Sequence, residues 1–177
     1  MKLAAWAERL MGMNDVVWAR HANPWSGWTR MATGLPLFSL AVWSRVWLGW
    51  GAVLAVAVAI AWIWFNPRAF APPDNIDNWM SKGVYGERIY LEHKAELPAH
   101  HQRAALVLGW LTLPGIVIMT WGLWGLWWEG AVFGTALAML PKIWFVDRMV
   151  WIFEDWQRAG RAVPGLPPEL TQGADNV

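Results

Sequence analysis

The chain has 177 residues, enough for one domain, and 56% of them are apolar while only 15% are charged. A formal net charge of +1 without a dense basic run gives nucleic acid no footprint, and the lack of cysteine excludes disulfides, thiolate metal sites and cysteine nucleophiles. The 18 tryptophans suit a membrane–water interface better than a soluble surface, because indole joins an apolar body to a polar N–H.

Within residues 1–30, Lys2, Glu8, Arg9, Asp15, Arg20 and Arg30 interrupt any apolar run that would serve as a signal-peptide core, so insertion is expected to be directed by transmembrane helices. Leu3, Trp6, Ala7, Leu10, Met13, Val17 and Trp18 recur at three-and-four spacing. This predicts an amphipathic helix over residues 1–22, lying in the interface or packed on the protein's own cytoplasmic loop. Asn23-Pro24 then reads as a helix start, with Asn as N-cap and Pro at the first helical position.

Four transmembrane helices are expected at about residues 24–46, 50–65, 104–124 and 130–146, with Pro36, Pro114 and Pro141 inside three of them. Tight turns join the first two across Ser44 to Gly49 and the last two across Gly125 to Glu129. Residues 66–103 form the one long connection, in which Val84 to Lys94 reads as a short surface helix. The last helix is expected to continue to about Arg158, followed by a Pro- and Gly-rich tail over 159–177. Small residues offer packing stripes: Gly51, Ala55 and Ala59 in the second span, and Gly130, Gly134 and Ala138 in the fourth. The predicted fold is therefore all-α, a single membrane domain over 1–177 built as a four-helix transmembrane bundle with an N-terminal interfacial helix and a cytoplasmic loop.

Charge sets the expected orientation. Of the 14 Lys and Arg residues, all but Arg45 fall in residues 1–30, 66–103 and 147–177 or, for Lys142, close to that side. The positive-inside rule places those segments and both termini in the cytoplasm, with the protein in the inner membrane. Trp43, Trp47, Trp50, Trp121, Trp124, Trp127 and Trp128 gather at the outer turns, and Trp25, Trp28, Trp62, Trp64, Trp110, Trp144 and Trp151 near the inner boundary, as two aromatic belts.

Candidate chemistry sits at the cytoplasmic boundary. Asp147, Trp151, Glu154 and Arg158 share one helix face and Arg148 and Asp155 another, so carboxylates and a guanidinium could meet there to bind a phosphorylated head group or move protons. Ser81-Lys82-Gly83 and Gly86-Glu87-Arg88 offer flexible backbone and cations without the spacing of a P-loop. Docking of the loop through Lys82 or Arg88 onto Asp147 or Glu154 is the favoured reading. Asp147, Glu154, Glu87 and His100 are the catalytic candidates, and Lys82, Arg88, Arg148, Trp151 and His21 the binding candidates. The four histidines, His21, His93, His100 and His101, fall short of the roughly eight that membrane di-iron enzymes use. His21, His100 and His101 are read as interfacial caps rather than as a metal site, and no cofactor is legible, whether pigment, haem or quinone. Arg45 and Glu129 each lie at a helix end whose dipole favours their sign.

His21-Ala22-Asn23-Pro24-Trp25-Ser26, Trp43-Ser44-Arg45-Val46-Trp47, Asp77-Asn78-Trp79 with Ser81-Lys82-Gly83, and Asp147-Arg148-Met149-Val150-Trp151 together resemble a family of small, Trp-rich prokaryotic integral membrane proteins catalogued as a domain of unknown function. The resemblance covers about residues 16 to 156. It implies prokaryotic origin and an intact domain, and lends no residue a role. Without a complete catalytic set, the expected function is that of a non-enzymatic accessory or assembly subunit that contacts membrane lipids and binds a larger membrane complex. The alternative is an interfacial enzyme or lipid-binding protein acting on head groups.

Overall fold

The computed structural model describes residues 12–167 and Leu170, and among them it is all-α, with no strand. Its helices are α1 (Asp15–His21), α2 (Pro24–Trp43), α3 (Arg45–Leu48), α4 (Ala52–Phe65), α5 (Trp79–Glu92), α6 (Ala99–Trp124) and α7 (Trp128–Arg158). Two compact units emerge, one from residues 1–28, 66–103 and 146–177 and the other from 29–65 and 104–145, so α2, α6 and α7 each contribute to both.

The second unit is mostly apolar, inside and on its surface. Met119, Leu123 and Ala131 form its buried centre, with Leu35, Val42, Trp43 and Ile116 packed against them. Here α6 and α7 touch backbone to backbone. A Cβ on Gly134 would lie 2.2 Å from the Met119 amide nitrogen, and one on Gly115 would lie 2.3 Å from that of Ala138. Small residues at both faces permit that approach, the device by which apolar helices associate when there is no water to expel. The fourth-span stripe is thus a packing face, with Gly115 and Gly122 of α6 as partners the sequence reading did not name. The second-span stripe is less complete: Ala59 is buried, whereas Gly51 is exposed.

The turn between α2 and α4 holds one more device. Arg45 Nη2 donates to the carbonyls of Leu123 and Trp124, the latter at 2.8 Å. A guanidinium therefore caps the orphan carbonyls at the C-terminus of α6, where the helix dipole favours a cation. The sequence reading assigned Arg45 to the end of its own span; its partner helix is another one. Across the same unit Thr135 donates to Ser39 Oγ (3.1 Å) and Trp62 Nε1 donates to Thr33 Oγ1 (2.7 Å), so its internal polar side chains are paired.

Two stretches, Pro24–Arg68 and Ala99–Trp124, are long and apolar enough to cross a membrane, by length and composition. Only 11% and 22% of their most apolar windows are buried within the protein, whereas the core helix of a soluble protein would be mostly buried. Helix α7 is long enough to span as well, at about 1.5 Å per residue, but Glu129, Lys142, Asp147 and Arg148 break up its apolar character.

The first unit is built differently, with buried polar and charged side chains (His21, Ser26, Asn66, Ser81, Arg88 and His101) beside an apolar core. Residues 66–103, expected as a polar connection with a surface helix over Val84 to Lys94, instead contain the 14-residue α5, whose Met80, Ser81, Val84, Tyr85, Arg88 and Ile89 are buried. Asn78 starts it: its Oδ1 accepts from Ser81 N at 2.9 Å, an N-cap worth about 1 kcal/mol. The apolar face of α5 meets the C-terminal part of α7, where Met149, Ile152 and Phe153 are nearly inaccessible. Gly83 and Gly86 set the distance. A Cβ on Gly86 would lie 1.8 Å from the Met149 carbonyl oxygen, and one on Gly83 would lie 2.6 Å from Val146 Cγ1.

Within the predicted N-terminal helix, the part from Lys2 to Met11 lies outside the described residues, and α1 covers Asp15–His21. Val17, Trp18 and His21 are buried, and Arg20 donates to the Arg68 carbonyl at 3.1 Å. This portion therefore packs on the protein's own chain, the second of the two readings its periodicity allowed. The start of the tail is anchored too: Trp156 Nε1 donates to Ala162 O at 2.9 Å and Arg161 pairs with Glu96 at 2.9 Å.

Candidate functional site

Charged and polar side chains of the first unit separate into several local groups rather than one pocket. Lys82 pairs with Asp77 (2.7 Å), and that hydrogen bond holds the Asp77 carboxyl below its ordinary range. Arg88 is buried and pairs with Asp15 and with Glu92, one turn further along α5 (2.8 Å). Burial alone would favour its neutral form, but the hydrogen bonds it donates to Glu92 and Asp15 outweigh that and raise its pKa. Glu154 pairs with Arg158 (3.3 Å). Docking of α5 onto α7 thus occurs without the expected ion pairs from Lys82 or Arg88 to Asp147 or Glu154. The two glycines bring the backbones together, and Trp79 Nε1 donates to Asp147 Oδ1 at 3.2 Å. Gly83 and Gly86, read from sequence as flexible backbone, are helical packing residues.

Around Asp147 an aromatic group forms. Trp79 stacks on Trp28, centroid to centroid 5.5 Å, and the Arg148 guanidinium lies 3.9 Å from the Trp151 ring centroid. Arg148 Nη2 is 3.5 Å from Asp147 Oδ2. Arg148, expected on the other face with Asp155, instead lies beside Asp147 and Trp151, and Trp79 of α5 is the member that sequence spacing did not supply.

His21 serves the interior. Its Nδ1 lies 3.1 Å from Ser26 Oγ, whose hydroxyl donates to Asn66 Oδ1 at 3.3 Å, and Ser26 and Asn66 are fully buried. Ser81 Oγ donates to the Ala22 carbonyl at 2.6 Å, tying α5 to the start of α2. These hydrogen bonds satisfy polar groups that would each cost about 1 to 3 kcal/mol if buried alone.

A third group gathers at the first turn of α6. His101 is 1% exposed, and its Nε2 lies 2.8 Å from Asp155 Oδ2 on α7. The rings of His100 and His101 sit 4.1 Å apart, centroid to centroid. One potential ligand atom from each of His100, His101 and Asp155 lies within 4.8 Å of the others, so among the described residues these three could hold a metal ion. Asp155 Oδ1 accepts from Arg158 at 2.6 Å, which fixes the carboxylate. Nearby, His93 and Arg161 both contact Glu96, and the hydrogen bond from His93 in particular holds the Glu96 carboxyl below its usual range. The sequence reading had placed Asp155 with Arg148 and His100 among the caps. Fifty-four positions separate His101 from Asp155, so no local periodicity signals that they meet. Glu87 is half-buried on α5.

Among the described residues this is an all-α protein with two stretches long and apolar enough to cross a membrane, and its first unit carries the histidines and most of the ion pairs. Neither a curated protein nor a solved structure matches it. A family model described as "Family of unknown function (DUF6653)" matches residues 4–165, and the chain belongs to that family.

Proposed function

We propose that this is a multi-pass integral membrane protein that crosses the bilayer four times with both termini and residues 66–103 in the cytoplasm, and that it works as a non-enzymatic accessory or assembly subunit of a larger membrane complex. One observation carries the reading: the side chains that would form a soluble protein's wet surface are aromatic and aliphatic, with Trp50 92%, Trp124 81% and Trp121 71% exposed. An exposed apolar surface of that extent needs lipid or a partner to cover it. The almost one-sided distribution of Lys and Arg supports the orientation. Pairing of Lys82, Arg88 and Glu154 with separate local partners favours a structural role over head-group chemistry, which would want them converged on one ligand.

Extraction from native membranes in mild detergent tests the functional half. A second membrane protein is expected to co-purify in fixed stoichiometry and to dissociate when detergent is made harsher. A lone monomer or homo-oligomer would contradict the proposal.

A further inference from the structure

We propose that His100, His101 and Asp155 form a binding site for one first-row divalent cation, of the zinc class. Two imidazoles and one carboxylate are a donor set that such cations prefer, whereas calcium and magnesium favour oxygen alone.

The inference begins with the buried His101 ring. Its Nε2 faces Asp155 Oδ2, while its Nδ1 is buried with no hydrogen-bond partner among the described residues. Among those residues Nδ1 lacks a partner in every protonation state of the ring, so what faces Nε2 decides the matter. With the proton on Nε2, the ring donates to Asp155 and leaves the Nδ1 lone pair buried without a donor. With the proton on Nδ1, the Nε2 lone pair confronts a carboxylate oxygen at 2.8 Å. A cation shared by Nε2 and Oδ2 turns that second contact from repulsion into ligation. Two donors on one such cation, each about 2.0 to 2.2 Å from it, stand about 3.4 Å apart in a tetrahedral site, so Nε2 and Oδ2 would part by roughly half an ångström to admit it.

The surroundings suit the role. His100 is exposed and supplies a third donor from the solvent side, leaving the remaining positions to water or a further ligand. Arg158 holds the other oxygen of Asp155, an outer contact of the kind that orients a ligating carboxylate. The site joins the start of α6 to the end of α7, so a bound cation would cross-link two elements far apart in sequence.

Zinc titration of the full-length protein, free of any polyhistidine tag and purified in detergent, tests this by calorimetry. His101 is too buried to replace safely, so the variants are His100→Ala and the near-isosteric Asp155→Asn, with His93→Ala as the comparison. The expected result is one zinc per chain, binding weakened at least about tenfold in each of the first two variants, and wild-type binding in His93→Ala. Absence of stoichiometric binding, undiminished binding in His100→Ala and Asp155→Asn, or a loss confined to His93→Ala would overturn the proposal.

Discussion

Gly86 is the residue on which the charged unit depends most visibly. Its missing Cβ lets α5 lie against the Met149 carbonyl, and a methyl group there would need backbone, not a flexible side chain, to give way. Gly86→Ala is expected to destabilise the protein by about 3 kcal/mol, the upper part of the usual range for overpacking, read as a lower thermal midpoint in detergent. Gly160, whose surroundings are open, has a positive φ of 68° and should tolerate alanine better, at the cost of backbone strain alone. Sequence showed both Gly83 and Gly86 but not their purpose, because a glycine in a polar stretch reads equally as a turn or as a contact. From sequence His101 reads as an interfacial cap rather than a ligand, and its carboxylate partner is not legible at all, since tertiary packing rather than spacing brings Asp155 to it.

At the scale of elements, α5 and α6 carry the tests. Trp79 attaches α5 to α7 through its indole N–H, so Trp79→Phe removes one hydrogen bond to Asp147 while keeping the stack on Trp28. A loss of about 1 kcal/mol is expected, and no loss would mean that glycine packing alone holds the pair. Arg45→Ala should cost about 1 kcal/mol by uncapping the last carbonyls of α6. Flanking α5, Asp77 and Glu96 have carboxyl pKa values lowered in the folded protein, by Lys82 and chiefly by His93 respectively. Their contribution is therefore complete above the unfolded carboxylate range of about 4 and is lost as pH falls through their lower folded values. The thermal midpoint should drop between pH 5 and about 3, with a shallower slope in Asp77→Asn combined with Glu96→Gln. Both groups are exposed, so the effect is small. The apolar helices that precede α5 are readable because the region bounded by Asn23-Pro24 and Asn66-Pro67 needs no tertiary information. Helix α5 was misread as a surface helix because half its buried positions, Ser81, Gly83, Gly86 and Arg88, are not hydrophobic.

For the whole molecule, the central claim is that lipid is the solvent of one unit and cytoplasm that of the other. A chain without cysteine makes this directly testable, because each engineered thiol is the only one present. Single variants Leu48→Cys, Val58→Cys and Ala71→Cys place it at exposed side chains in the predicted outer turn, mid-span and cytoplasmic segment. The measurement is labelling by a membrane-impermeant maleimide on intact cells, then on opened cells. The predicted result is that Leu48→Cys reacts in both, Ala71→Cys only once the cells are opened, and Val58→Cys in neither until the membrane is dissolved. Labelling of Ala71→Cys on intact cells, or of Val58→Cys in an intact membrane, would contradict the account.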